Sequence, residues 1–123
     1  MSKVLVIDDV ESMRTVISTL LEWCGYEALE APDGEIGFKL LLSEPGIALV
    51  ITDVNMPVCN GYEFINKVRD NNLKIPIVVL TSQPADEATL KEAQDIGANG
   101  WIHKPINRDN FSEMVKKFLV GSH

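Results

Sequence analysis

The sequence is poor in the residues that staple, anchor or cradle. It has two cysteines, Cys24 and Cys59, and two histidines, His103 and His123, with no spacing that would build a zinc site. Both cysteines are expected to be ordinary thiols without a disulfide. Long apolar runs are missing as well. Val4 to Ile7 runs straight into Asp8, far too short for a signal peptide or a membrane span, so a cytoplasmic protein without membrane insertion is expected. Basic residues are scarce, 11 Lys and Arg against 18 Asp and Glu. The resulting net charge of −7 and pI near 4.7 argue against unaided binding of nucleic acid or anionic lipid, leaving proteins as the expected partners. Neither a G-x-G-x-x-G nor a G-x-x-x-x-G-K-[ST] loop occurs, which counts against a nucleotide- or flavin-binding module.

What is present is apolar sequence in short pieces. With 46% hydrophobic residues, 123 residues suffice for one core, and a single domain over residues 1–123 is expected. The central piece is Ala48-Leu49-Val50-Ile51-Thr52, too short for a buried helix and β-branched, ending in Asp53 and then Val54-Asn55-Met56-Pro57. It reads as a strand covered on both faces, with Asp53 the first residue past it. Lys3 to Ile7 repeats the pattern and ends in Asp8 and Asp9. Pro76 to Leu80 repeats it again and ends in Thr81 and Ser82. Glu27 to Glu30 and Gly100 to His103 read as two further strands, the last followed by Lys104-Pro105.

Helical spacing fills the intervals. Met13, Ile17, Leu20, Leu21 and Cys24 share a face of a helix stopped by Gly25, with Arg14, Thr15 and Glu22 off that face. Trp23, at its end, reads as core or rim packing. Asp33 is placed to cap a helix running to about Leu42, and further helices are predicted over about Tyr62 to Arg69, Asp86 to Ile96 and Arg108 to Val120. Five strands alternating with five helices predict a parallel sheet with helices on both faces. Right-handed crossovers then bring every strand's C-terminal end to one edge, where such sheets bind ligands, so Asp8, Asp9, Asp53, Thr81 and Lys104 converge.

Three carboxylates at one edge repel by about 4 kcal/mol per pair at about 4 Å and an effective dielectric of about 20, so they require a cation. All-oxygen donors select a hard ion, and an incomplete cage that keeps water suits Mg²⁺. Asp9 and Asp53 are its natural ligands, with Asp8 acting directly or through water and the Asn55 backbone carbonyl offering another oxygen. Mg²⁺, the Lys104 ammonium and the Thr81 hydroxyl around a free carboxylate match the needs of phosphoryl transfer, with Asp53 as nucleophile.

These residues resemble the receiver domain of bacterial two-component response regulators, closest in build to the stand-alone chemotaxis type. The likeness spans essentially the whole chain and rests on Ile7-Asp8-Asp9, on Asp53 with Met56-Pro57 and Gly61, on Leu80-Thr81-Ser82 and on Lys104-Pro105. It implies a flavodoxin-like α/β fold, a five-stranded parallel sheet in the order 2-1-3-4-5. It implies Mg²⁺-dependent transfer to Asp53 from a sensor histidine kinase, a phosphotransfer protein or a small phosphodonor. It implies a switch in which Thr81 is drawn inward and an aromatic three residues before the lysine turns. That position is held here by Trp101 where Tyr or Phe is usual. Asn55 and Gln83 occupy the positions that tune hydrolysis of the acyl phosphate, and amides there imply an intermediate lifetime.

A domain of this kind promotes only its own phosphorylation and dephosphorylation and is not an enzyme acting on a separate substrate. Its output is expected through protein contacts on the face of Leu90, Lys91, Gln94, Trp101, His103 and the last helix, with homodimers on activation possible. Two alternatives stay open: a receiver fragment of a larger regulator with a C-terminal effector, and a scaffold independent of phosphorylation. A phosphohydrolase of the haloacid dehalogenase type is disfavoured, because it needs a second acid two residues past its nucleophile and this chain has Asn55.

Overall fold

The four apolar residues of the first strand divide between two cores. In the computed structural model Val4 and Val6 face one layer of helices and Leu5 and Ile7 the other, all four fully buried. The structure describes residues 2–53, 61–81, 91, 94–103 and 106–120, with the backbone alone at 61, 81, 103 and 120. The described elements are β1 (Lys3–Ile7), α1 (Glu11–Trp23), β2 (Glu27–Ala31), α2 (Gly34–Ser43), β3 (Ile47–Asp53), α3 (Gly61–Asp70), β4 (Ile77–Thr81), β5 (Gly100–His103) and α4 (Arg108–Val120). The helix predicted between β4 and β5 falls largely outside the described residues, though Lys91, Gln94 and Asp95 are helical.

All strand pairings are parallel and the order is β2-β1-β3-β4-β5, the flavodoxin-like arrangement. Because consecutive strand residues point to opposite faces, a sheet covered on both sides needs runs without alternation, and the sequence supplies them. On one side Leu5, Ile7, Val50 and Val79 pack against Phe64, Ile65 and Val68 of α3. On the other, Val4, Val6, Leu49, Ile51, Val78 and Leu80 meet Ile17 and Leu21 of α1 and Phe111, Val115 and Leu119 of α4. Among the described residues no helix is long and apolar enough to cross a membrane.

Helix ends follow the local chemistry of the sequence. Asp33 caps α2, its carboxylate accepting the Ile36 N–H at 2.9 Å. α1 closes in a Schellman motif: Tyr26 N–H donates to the Leu21 carbonyl and Gly25 N–H to that of Glu22. Gly25 sits at φ +92, a conformation glycine adopts without Cβ strain. Gly37 fills a different need, since a Cβ there would lie 2.5 Å from Ile7 Cδ1; its absence lets α2 settle onto β1.

Two strand ends differ from the sequence reading. Asp53 and Thr81 are the last residues of β3 and β4, not the first beyond them, because Asp53 still pairs with Leu80 and Thr81 with His103. Trp23 is not core: it is 66% exposed, its indole lying 4.4 Å from the Arg108 guanidinium. Cys24 is a free thiol beside the Ser112 hydroxyl at 3.6 Å, while Cys59 lies outside the described residues.

One buried group works against the fold. The Ser18 hydroxyl on α1 is buried and finds no hydrogen-bond partner among the described residues. An unsatisfied buried hydroxyl costs about 1–3 kcal/mol, and alanine is also the better helix former. Ser18→Ala is therefore expected to raise the melting temperature by about 3–5 °C, corresponding to about 1 kcal/mol, in a thermal melt followed by circular dichroism. A lower melting temperature would show that the hydroxyl has a partner.

Candidate functional site

The sheet register builds the site. Ile7 of β1 pairs with Thr52 of β3, so one step further along the same edge stand Asp8 and Asp53. Asp8, Asp9 and Asp53 each offer a carboxylate oxygen, and these oxygens lie within 4.8 Å of one another. Asp8 is fully buried and Asp53 is 7% exposed, whereas Asp9 is open to solvent. At that separation, like charges repel by about 3 kcal/mol per pair at an effective dielectric of about 20. Such a trio, all oxygen and partly open, is a donor set that fits a hard divalent cation.

The turn that carries two of the acids is held from three directions. Asp8 N–H donates to the Ala31 carbonyl of β2 at 3.2 Å, and one Asp8 carboxylate oxygen accepts the Val10 N–H at 2.9 Å. The Asp8 carbonyl accepts from Arg14 Nη1 at 2.7 Å, while Arg14 Nε lies 3.4 Å from Glu30 of β2. Arg14 was off the apolar face in the sequence reading, yet its side chain is only 16% exposed. A signal was available: a cation in the first turns of a helix opposes the helix dipole, so its charge must be answered elsewhere. On β3, Thr52 Oγ1 donates to the Asp53 carbonyl at 2.9 Å.

The remaining site residues of the sequence reading divide. Thr81 lies at the same edge through its backbone, one residue past Leu80, the partner of Asp53. His103, the residue before Lys104, pairs with Thr81. Lys104, Asn55 and Gln83 lie outside the described residues, as does the Thr81 side chain. Trp101 is half-buried on β5, paired with Val79 and packed against the core on the α3 side. On α4, Asn110, Glu113, Met114 and Lys117 line an open depression of about 460 Å³.

Comparison with known proteins agrees with this geometry. The family model described as the response regulator receiver domain matches residues 4–116. The chain is 37% identical to the chemotaxis protein CheY1 of Helicobacter pylori over 120 residues, 95% of this chain and 96% of that protein. It is 34% identical to a probable chemotaxis protein CheY of Rhizobium etli, over 93% of this chain and 89% of that protein. Among solved structures, the chemotaxis protein CheY4 of Vibrio cholerae superposes with a TM-score of 0.90 at 34% identity, covering 97% of this chain and 99% of that one. With the strand order and the acidic edge in place, the chain belongs to the response-regulator receiver domains of the CheY-like type, the phosphorylatable switches of two-component systems.

Proposed function

We propose that Asp53 is the phosphoacceptor and that the trio Asp8, Asp9 and Asp53, with the Asn55 backbone carbonyl, holds Mg²⁺. The observation that carries this reading is the meeting of three carboxylates, two of them buried, at the end of the central strand. Mg²⁺, when bound, neutralises the carboxylates and the oxygens of the transferred group. An Asp53 carboxylate oxygen attacks the phosphorus of a phosphohistidine on a sensor kinase or phosphotransfer protein, or of a small phosphodonor. The new O–P bond makes an acyl phosphate as the P–N bond to the imidazole, or the donor's own ester or anhydride bond, breaks and the leaving group takes up a proton. The Lys104 ammonium and the Thr81 hydroxyl donate hydrogen bonds to the negatively charged phosphoryl oxygens, and water later hydrolyses the acyl phosphate at a rate set by Asn55 and Gln83.

The domain thus acts only on itself, as one unit over residues 1–123, and its output is a change in protein contacts. The β5 edge of the sheet, with the outer residues of α4 beside it, would meet a downstream protein or a second copy. The depression beside Met114 suits such docking. Acidic charge disfavours direct nucleic-acid binding. A cytoplasmic location suits a domain that takes its phosphoryl group from a kinase.

The test is incubation with acetyl phosphate and Mg²⁺, then intact mass. Wild type is expected to gain one phosphoryl group and Asp53→Asn none. An unchanged wild-type mass would remove the phosphoacceptor assignment in favour of a phosphorylation-independent scaffold.

A further inference from the structure

We infer that Arg14 is a positioning residue for the metal site, fixing the Asp8-Asp9 turn so that the acids stand at metal-binding separation before any ion arrives. The inference rests on the reading that the acidic trio holds Mg²⁺. Its basis is geometric. Arg14 reaches back from α1 to donate to the Asp8 carbonyl at 2.7 Å, and its other edge faces Glu30 at 3.4 Å. Asp8 N–H is held at the same time by Ala31, one residue after Glu30 on β2. The turn is therefore tied to β2 twice, directly through the Asp8 amide and indirectly through Arg14 and Glu30.

Without such ties, the repulsion among Asp8, Asp9 and Asp53 would spread the acids apart, and the ion would have to regather them. Asp9 is the most sensitive. It is exposed and follows Asp8 directly, so it moves with the turn. Glu30 supplies the second half of the device. By pairing with the guanidinium it offsets a positive charge that would otherwise oppose a cation near the trio. Arg14 then acts through a directed hydrogen bond more than through its charge.

That distinction gives opposite signs for two mechanisms. If Arg14 were only a nearby cation, Arg14→Gln would tighten Mg²⁺ binding and Arg14→Lys would leave it unchanged. If it positions the turn, both variants bind more weakly, because neither lysine nor glutamine can span the Asp8 carbonyl and Glu30 together as the planar fork does. Partners that orient metal ligands without touching the metal commonly set affinity by about 10-fold or more when removed.

Isothermal titration of wild type, Arg14→Lys and Arg14→Gln with MgCl₂ is expected to show dissociation constants raised on the order of tenfold in both variants. With acetyl phosphate as donor, the Mg²⁺ concentration for half-maximal phosphorylation should rise by the same factor while the rate at saturating Mg²⁺ stays at the wild-type value. Thermal melts in EDTA identify any variant that fails to fold. Binding as tight as wild type in either Arg14 variant overturns the inference. A wild type that binds no Mg²⁺ would instead remove the metal reading itself, and this inference with it.

Discussion

Asp53→Asn is expected to melt above wild type in metal-free buffer and below it at saturating Mg²⁺, while losing phosphorylation altogether. Three carboxylate oxygens within 4.8 Å, two of the groups buried, cost the fold about 3 kcal/mol per like-charge pair at an effective dielectric of about 20. Neighbouring donors and the exposure of Asp9 reduce that figure, so removing one charge should stabilise the metal-free protein by about 1–2 kcal/mol. Mg²⁺ reverses the order. An ion at one hundred times its dissociation constant adds about 2.7 kcal/mol to a protein that binds it only when folded, and the amide variant has lost an anionic ligand. Urea titrations in EDTA and in excess MgCl₂ measure both differences. A variant less stable than wild type in EDTA would show that the trio carries no net repulsion. A wild type that Mg²⁺ does not stabilise would show that the trio is not its site.

The sheet was legible in the sequence because a strand covered on both faces leaves a run that few other structures produce. Leu49, Val50 and Ile51 feed alternate cores, so none of them can be polar. Helix caps were legible where one residue type does the work, as at Asp33 and Gly25. The acidic edge followed from topology, since Asp8 and Asp53 lie 45 positions apart in sequence and are neighbours only through the β1–β3 register. Arg14 was not legible from periodicity. Hydropathy patterning assigns a charged residue to the solvent side, whereas a long guanidinium can bury its stem and return to the backbone. For Trp23, read as core or rim packing, the core half of the reading does not hold. Its size suggested packing, but the last turn of α1 turns it outward, where Arg108 covers one ring face.

Arg69 was hidden for the same reason as Arg14, and its loss carries the largest expected cost in stability. From the last turn of α3 its guanidinium makes four hydrogen bonds to three acceptors. Nε and Nη2 donate to the Gly97 carbonyl at 3.1 and 2.7 Å, Nη2 also to Asn99 Oδ1 at 2.8 Å, and Nη1 to the Leu73 carbonyl at 2.8 Å. Asn99 in turn accepts the Ile77 N–H at 2.9 Å and donates its own N–H to the Ile77 carbonyl at 2.7 Å. One side chain thus ties α3 to the starts of β4 and β5, at the end of the sheet away from the acids. Burial lowers the Arg69 pKa from its usual value, the mark of a charge that the fold desolvates and must repay with hydrogen bonds. Hydrogen bonds to charged groups contribute about 1.5–3 kcal/mol each, but water reaches part of the vacated site, so Arg69→Ala should cost about 2–4 kcal/mol. Gly97 gives an internal check. It sits at φ +118, and a Cβ there would lie 2.8 Å from both Cγ and Nε of Arg69. Gly97→Ala alone therefore suffers backbone strain and a collision, whereas in the Arg69→Ala background only the strain remains. A double-mutant cycle by urea denaturation should return a coupling of about 1 kcal/mol or more between the two positions. Additive effects, or an Arg69→Ala protein within about 0.5 kcal/mol of wild type, would mean that the clamp is a surface contact and that β5 is held in register by its ladder with β4 alone.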